Sequence, residues 1–357
     1  MKMQLYHIPQ YRKDLACTYD SVISLEKLRG SSILVTGATG LVGSYIVDFL
    51  LYCNEIHGFA CEIYAACRNE MKFKKRFLGE DDEKPQLHFW AYDLDQPVTS
   101  KVRVDYVIHA AGNAYPAAFM KEPVKTLTQS VDGTSELLFY CNQNEVTRFL
   151  LVSSGEVYGK TLDHIKEFKE DESGYIDSMQ LRSCYPLGKR AAENLCVSFQ
   201  KQYGLQTIIV RLCHTYGPTA STEDNRVSQT FVRDVLDGRD IKMTSKGEQM
   251  RSWCYVADAV SGILTALLCG DSGQAYNVGT PISIGTIREL AEIVAKLGGR
   301  NVQFQLPKQE EKSRFNPMEL AVLSSEKLEA LGWHGRYSLE EGLCSVLECG
   351  TWEKRHK

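Results

Sequence analysis

The stretch "SSILVTGATGLVGSYIVDFLL", residues 31–51, constrains the fold more than any other part of the chain. A short β-branched run at 33–36 leads into glycines, and then a helix-spaced apolar face follows at Leu41, Ile46, Phe49 and Leu50. Gly37, Gly40 and Gly43 have the spacing G-x-x-G-x-x-G. Glycines permit a tight turn and close backbone approach, and the helix start then offers free N–H groups and a positive dipole to a pyrophosphate. Glycines also make ordinary turns, but a strand before them and a helix after them select the dinucleotide use.

The rest of the chain repeats this alternation. Short apolar runs occur at 61–67, 86–92, 105–111, 148–154 and 206–212, and helical patterns separate most of them, notably at 121–143 and 187–202. Strands alternating with helices predict an α/β fold, a doubly wound parallel sheet covered on both faces. From about residue 213 the pieces shorten and Gly and Pro punctuate them, which predicts a smaller second lobe. The expected organisation is an N-terminal extension over 1–30, a dinucleotide-binding domain over 31–212, and a substrate lobe over 213–357 with crossings back to the first domain.

Composition limits the partners. The chain has 357 residues and a net charge of −4, so it has no general attraction for nucleic acid or an anionic membrane, and an anionic ligand needs a local cationic site. No apolar run reaches the length of a membrane span, and the first twenty residues lack a signal-peptide core. The 12 cysteines include no C-x-x-C pair. Reduced thiols in a cytoplasmic protein are the expectation.

A dinucleotide fold usually carries an acid at the end of its second strand, bonded to the adenosine ribose. Here the position holds Cys67 and Arg68, with Lys72 and Lys74 nearby. Arg68 suits a 2′-phosphate or the start of a solvated basic helix, so NAD and NADP both stay open. Asp93, after the third run, fits an adenine contact or a turn cap.

Tyr185 and Lys189 lie four apart in "CYPLGKRAAE" and share one helical face. A phenol titrates near ~10 and becomes a base at neutral pH only when cations stabilise its anion, as an adjacent ammonium and an oxidised nicotinamide would. Ser154, at a strand end, can share the proton. With the glycine loop upstream, these residues form a plausible dehydrogenase set.

The motifs "TGATGLVG", "DYVIHAAG", "SSGEVYG", "YPLGK", "RLCHTYGP" and "RSWCYVADAV" together resemble the extended short-chain dehydrogenase/reductases of the nucleotide-sugar epimerase/dehydratase family, from about residue 31 to 342. Within it, "EPVKTLTQSVDGT", "RSCYPLGKRAAE", "DNRVSQTF" and "GEQMRSWCYV" are most similar to the UDP-glucuronate decarboxylases. The resemblance implies a Rossmann fold and a tightly held nicotinamide. It implies catalysis by Ser154, Tyr185 and Lys189, with Glu156, on a nucleoside-diphosphate sugar oxidised transiently at C4. It also implies cofactor contacts at Thr39, Leu41, Leu94, Ala110 and Ala111 besides the glycines, Arg68 and Asp93. Substrate contacts fall on Asn113, Glu156, His214, Arg226 and Arg251, the two arginines on the pyrophosphate, and a homodimer is expected.

The chain departs from those relatives at instructive places. Sugar dehydratases carry Thr-Asp-Glu at the strand end, where this chain has Ser154-Gly155-Glu156, so the acid for a leaving hydroxyl is absent. Decarboxylation needs less, because oxidation at C4 makes the sugar a β-keto acid. The decarboxylases' serine-rich loop reads "GNAYPAAF" here, with Gly112, Tyr115 and Phe119 at the changed positions, and His214 replaces a family Asn. Decarboxylation, epimerisation and 4,6-dehydration are the candidate outcomes. A catalytically quiet nucleotide-binding protein and a simple reductase are the alternatives from other classes.

Overall fold

A computed structural model of the chain describes residues 5–78, 84–112, 114, 116–160, 165–305 and 320–355. Asn113 and Tyr115 lie outside the described residues. After α1 (Pro9–Tyr19) the chain alternates through β1 (Ser32–Thr36), α2 (Leu41–His57), β2 (Glu62–Cys67), α3 (Glu70–Phe77), β3 (Leu87–Ala91) and β4 (Tyr106–His109). It continues through α4 (Pro116–Lys121), α5 (Pro123–Gln143), β5 (Arg148–Ser154), α6 (Cys184–Tyr203) and β6 (Thr207–Leu212). Then come β7 (His214–Tyr216), α7 (Val227–Leu236), β8 (Ile241–Met243), β9 (Met250–Tyr255), α8 (Val256–Cys269) and β10 (Gln274–Val278). The described chain closes with β11 (Ile284–Thr286), α9 (Ile287–Leu297), β12 (Val302–Phe304), β13 (Leu320–Ala321), α10 (Glu326–Glu329) and α11 (Leu339–Arg355).

Seven strands form one parallel sheet in the order β10-β6-β5-β4-β1-β2-β3. The central strands read as continuous apolar runs because both faces are covered. Ile33, Val35, Ile46, Phe49, Ile263 and Leu264 belong to one core, which joins β1 to α2 and α8. Leu34, Leu137, Leu138, Ala192 and Cys196 belong to another, on the α5 and α6 side. The strand order reverses between β1 and β4, so a crevice opens at their carboxyl ends, where this architecture binds ligands.

The edge strand β10 comes from beyond residue 213 and pairs with β6 from Gln274↔Ile208 to Val278↔Leu212. A smaller sheet is built on β9, with β11 antiparallel on one side and β7 and β13 parallel to it. β9 runs straight into α8, which packs on the large sheet, and β6 passes through Cys213 into β7, so the chain joins the two sheets directly. The N-terminal residues dock against both. The Tyr11 hydroxyl of α1 donates to Asp48 of α2 at 2.7 Å, while Asp14 accepts from Tyr255 at 2.6 Å, Tyr337 at 3.0 Å and Ser345 at 2.6 Å.

Candidate active site

The glycine loop joins β1 to α2, and its shape requires glycine. Gly37 has a φ of 66°, and a Cβ there would lie 2.7 Å from the Ala110 carbonyl oxygen. A Cβ on Gly43 would lie 2.3 Å from the Gly37 carbonyl oxygen. Gly40 is the N-cap of α2 and has no side-chain cap, so the helix start keeps its N–H groups open toward the crevice. Thr39 and Leu41 are half-buried on either side of it. Ala110 and Ala111 follow β4, and the Ala111 N–H donates to Thr36 Oγ1 at 3.1 Å, closing the switch point between β1 and β4.

Arg68 stands exposed at the end of β2, just before Asn69, which caps α3 through the Lys72 N–H. Asp93 accepts from the Asp95 N–H at 3.2 Å, so it makes a turn at the end of β3, and Leu94 packs beside the apolar cluster of α5 and α6. These residues surround a cradle that a nicotinamide dinucleotide fits, with a glycine-sized floor and an open helix start.

Ser154 ends β5, and its Oγ caps the turn over Gly155–Tyr158 by accepting the Glu156 N–H at 3.2 Å. The Ser thereby aims the turn, and Glu156 with it, into the crevice. Tyr185 lies in the first turn of α6 and Lys189 one turn later, both buried. The Lys189 ammonium donates to the Val152 carbonyl at 3.0 Å, holding α6 against β5. Burial pushes the Tyr185 phenol up to about 12, with Glu156 adding to it, and its hydrogen bond with Ser154 opposes the rise. Burial pushes Lys189 down to about 8, opposed by the Glu193 carboxylate. A phenol this reluctant to ionise needs further positive charge beside it, which an oxidised nicotinamide carries.

Glu156 is held by a residue that the sequence reading did not single out. Arg182 Nη1 and Nη2 donate to its two carboxylate oxygens at 3.0 and 2.9 Å. The Phe119 ring stacks on Tyr185 with centroids 4.8 Å apart, and the Arg182 guanidinium carbon lies 5.7 Å from that ring's centroid. The signal was present as R-x-x-Y-x-x-x-K, since Arg182 sits three residues before Tyr185.

The remaining candidates converge on the same wall. His214 on β7 pairs in register with Trp253 on β9, two residues from Arg251. Its Nδ1 is buried and has no partner among the described residues. Burial, then Arg251, Arg226 and Arg182, push its pKa down to about 3, so the imidazole is neutral. Arg251 is buried, donates to the Met250 carbonyl at 2.8 Å, and is itself pushed down to about 10 by burial. Arg226 stands at the N-cap position of α7 without a side-chain cap, and its Nε donates to Asp224 at 3.0 Å.

A family model described as the NAD dependent epimerase/dehydratase family matches residues 33–279. The chain belongs to that family. It is 33% identical over 311 residues to UDP-glucuronic acid decarboxylase 6 of Arabidopsis thaliana, covering 87% of this chain and 86% of that one. It is 29% identical to UDP-glucuronic acid decarboxylase 1 of Xenopus tropicalis, over 95% of this chain and 76% of that one. Among solved structures, dTDP-glucose 4,6-dehydratase of Streptomyces venezuelae with NAD bound superposes with a TM-score of 0.75 at 25% identity, over 89% and 96% of the two chains.

As a member of the epimerase/dehydratase family the chain is an NAD-dependent enzyme, and one feature of its strand end stands out. A Cβ on Gly155 would lie 3.1 and 3.3 Å from the two methyl carbons of Leu323. Leu323 is buried with Val157, Tyr158 and Phe168. A side chain at position 155 would therefore require Leu323 to shift.

Proposed function

We propose that this enzyme decarboxylates UDP-glucuronate through a transient 4-keto sugar. The observation that carries the reading is the strand end itself: Ser154 and Glu156 both bear on the Tyr185 phenol, Lys189 follows one turn later on α6, and Leu323 backs Gly155 where an acid would have to stand. Similarity to decarboxylases along nearly the whole chain supports it.

The glycine loop, Ala110, Ala111 and Lys189 would hold the cofactor, which when bound would supply a hydride acceptor reused in each turnover. Tyr185 takes the proton of the C4 hydroxyl, Ser154 orients that hydroxyl, and the Lys189 ammonium favours the phenolate. The C5–C6 bond electrons of the resulting β-keto acid flow to the C4 oxygen as carbon dioxide leaves. Tyr185 and Ser154 donate to that enolate oxygen, Glu156 helps to deliver the solvent proton that replaces the lost carboxylate on C5, and Tyr185 returns a proton to the C4 oxygen as the ketone is reduced back to the alcohol. Arg226 and Arg251 supply positive charge for the diphosphate.

NAD is the cofactor the family supports, and Arg68, exposed at the end of β2, is the residue that would meet a 2′-phosphate if NADP were used instead. The enzyme pairs as a homodimer through α5 and α6, whose Leu127, Phe139, Val197 and Tyr203 are exposed apolar residues.

The test incubates purified protein, with cofactor identified by mass spectrometry of denatured samples, with UDP-glucuronate. Carbon dioxide and a UDP-pentose in equal amounts are expected. A 4-epimer formed without carbon dioxide favours epimerisation, which also needs no acid at Gly155, and overturns the decarboxylase reading.

A further inference from the structure

We propose that Arg182 determines specificity by cancelling the charge of Glu156, so that the pocket accepts a sugar whose C5 substituent is a carboxylate. This rests on the nucleotide-sugar reading above and adds the residue that admits a sugar acid.

The geometry comes first. Arg182 and Glu156 meet fork to fork, and their side chains are only 23% and 18% exposed, so water screens the pair weakly. The pair is at the reacting centre. Phe119 has its ring on Tyr185 and lies beneath the Arg182 guanidinium. The charges of Glu156 and Arg182 both reach the Tyr185 phenol and Arg251, and that of Arg182 reaches His214.

The electrostatics follow. Alone, Glu156 would place a negative charge beside a sugar that brings its own carboxylate, and like charges in a poorly screened pocket repel. It would also oppose the phenolate that Tyr185 must become. Arg182 removes both penalties. Arginine has five N–H groups, and those on Glu156 leave three without an acceptor among the described residues. A second carboxylate can take two of them, on the Nε side, in the same planar geometry; a hydroxymethyl group cannot use them bidentately.

Binding can be read without turnover. Tyr185→Phe protein holding its cofactor would be titrated calorimetrically with UDP-glucuronate and with UDP-glucose, which differ only at C6. Adding Arg182→Gln should weaken UDP-glucuronate about tenfold or more and UDP-glucose less than about twofold. Arg182→Lys should recover part of the loss. Glu156→Gln, which frees the guanidinium, should tighten UDP-glucuronate, and the Glu156→Gln/Arg182→Gln pair should fall between the two single variants. Equal shifts for the two sugars in Arg182→Gln overturn the inference. If Arg182→Gln fails to fold, Glu156→Gln decides, and an unchanged UDP-glucuronate affinity there overturns it. Binding of other nucleotide sugars but not UDP-glucuronate by the Tyr185→Phe parent overturns the functional reading, and the selection with it.

Discussion

Leu323 makes Gly155 more than a lost acid. Growing a carboxylate at that position pushes a buried leucine, so Gly155→Asp should destabilise the protein by about 1–3 kcal/mol in thermal or urea unfolding. Gly155→Asp with Leu323→Ala should be less harmed than the sum of the single changes, because the space is shared. Gly155→Asp as stable as the parent would contradict this account of the strand end. His214 gives a second prediction at the same scale. Its pKa falls from 6.5 to about 3 on folding, so between those values the unfolded chain binds the proton and the folded chain does not. Stability contributed by the neutral ring is therefore present above 6.5 and lost as pH falls, by about 1.4 kcal/mol per pH unit. His109, also pushed down to about 3 by burial, adds a similar slope that a His214 variant leaves in place. Urea unfolding of His214→Gln at pH 7 and pH 5 should show about 2 kcal/mol less acid loss than the parent. Parallel losses would mean that His214 titrates normally.

Among the elements, α1 shows what sequence periodicity misses. Its mixed residues read as an extension, yet Asp14 is buried and gathers three hydroxyls from across the fold and the Gln10 amide from its own helix. Asp14→Ala would leave Tyr255, Tyr337 and Ser345 without that acceptor, and should cost about 2–4 kcal/mol by chemical denaturation. A cost below about 0.5 kcal/mol would show α1 to be an ornament. The parallel strands were legible because buried runs flanked by helices leave few other arrangements: the run at 33–36 is inside β1 and the run at 206–212 contains β6. The glycine loop was legible for the same reason, since its spacing matches a local backbone need. Arg182 on Glu156, and Leu323 behind Gly155, were not. Each joins residues far apart in the chain, 26 positions for the ion pair, and the order of residues alone does not say which cation meets which carboxylate.

For the whole molecule the balance of charge matters most. A protein of net charge −4 gathers Arg182, Arg226 and Arg251 around one neutral histidine, next to a buried phenol and ammonium, with Glu156 and Asp224 balancing the first two. That local positive charge, with Arg251 in it, suits an anionic sugar nucleotide and makes its binding salt-sensitive. Tyr185→Phe should lower turnover by about a hundredfold or more while cofactor remains bound, which absorbance of the purified variant and mass spectrometry of its released small molecules would check. Loss of the cofactor along with activity would mean the phenol builds the pocket rather than the reaction. The central claim is that hydrogen leaves C4 and comes back to it within one turnover. UDP-glucuronate carrying deuterium at C4, converted in ordinary water, tests this directly. The account predicts a product that keeps the deuterium at C4, with one hydrogen taken from solvent at C5 and no build-up of reduced cofactor. Deuterium never leaving the sugar's C4 under single-turnover trapping, or reduced cofactor accumulating once per sugar consumed, would contradict it.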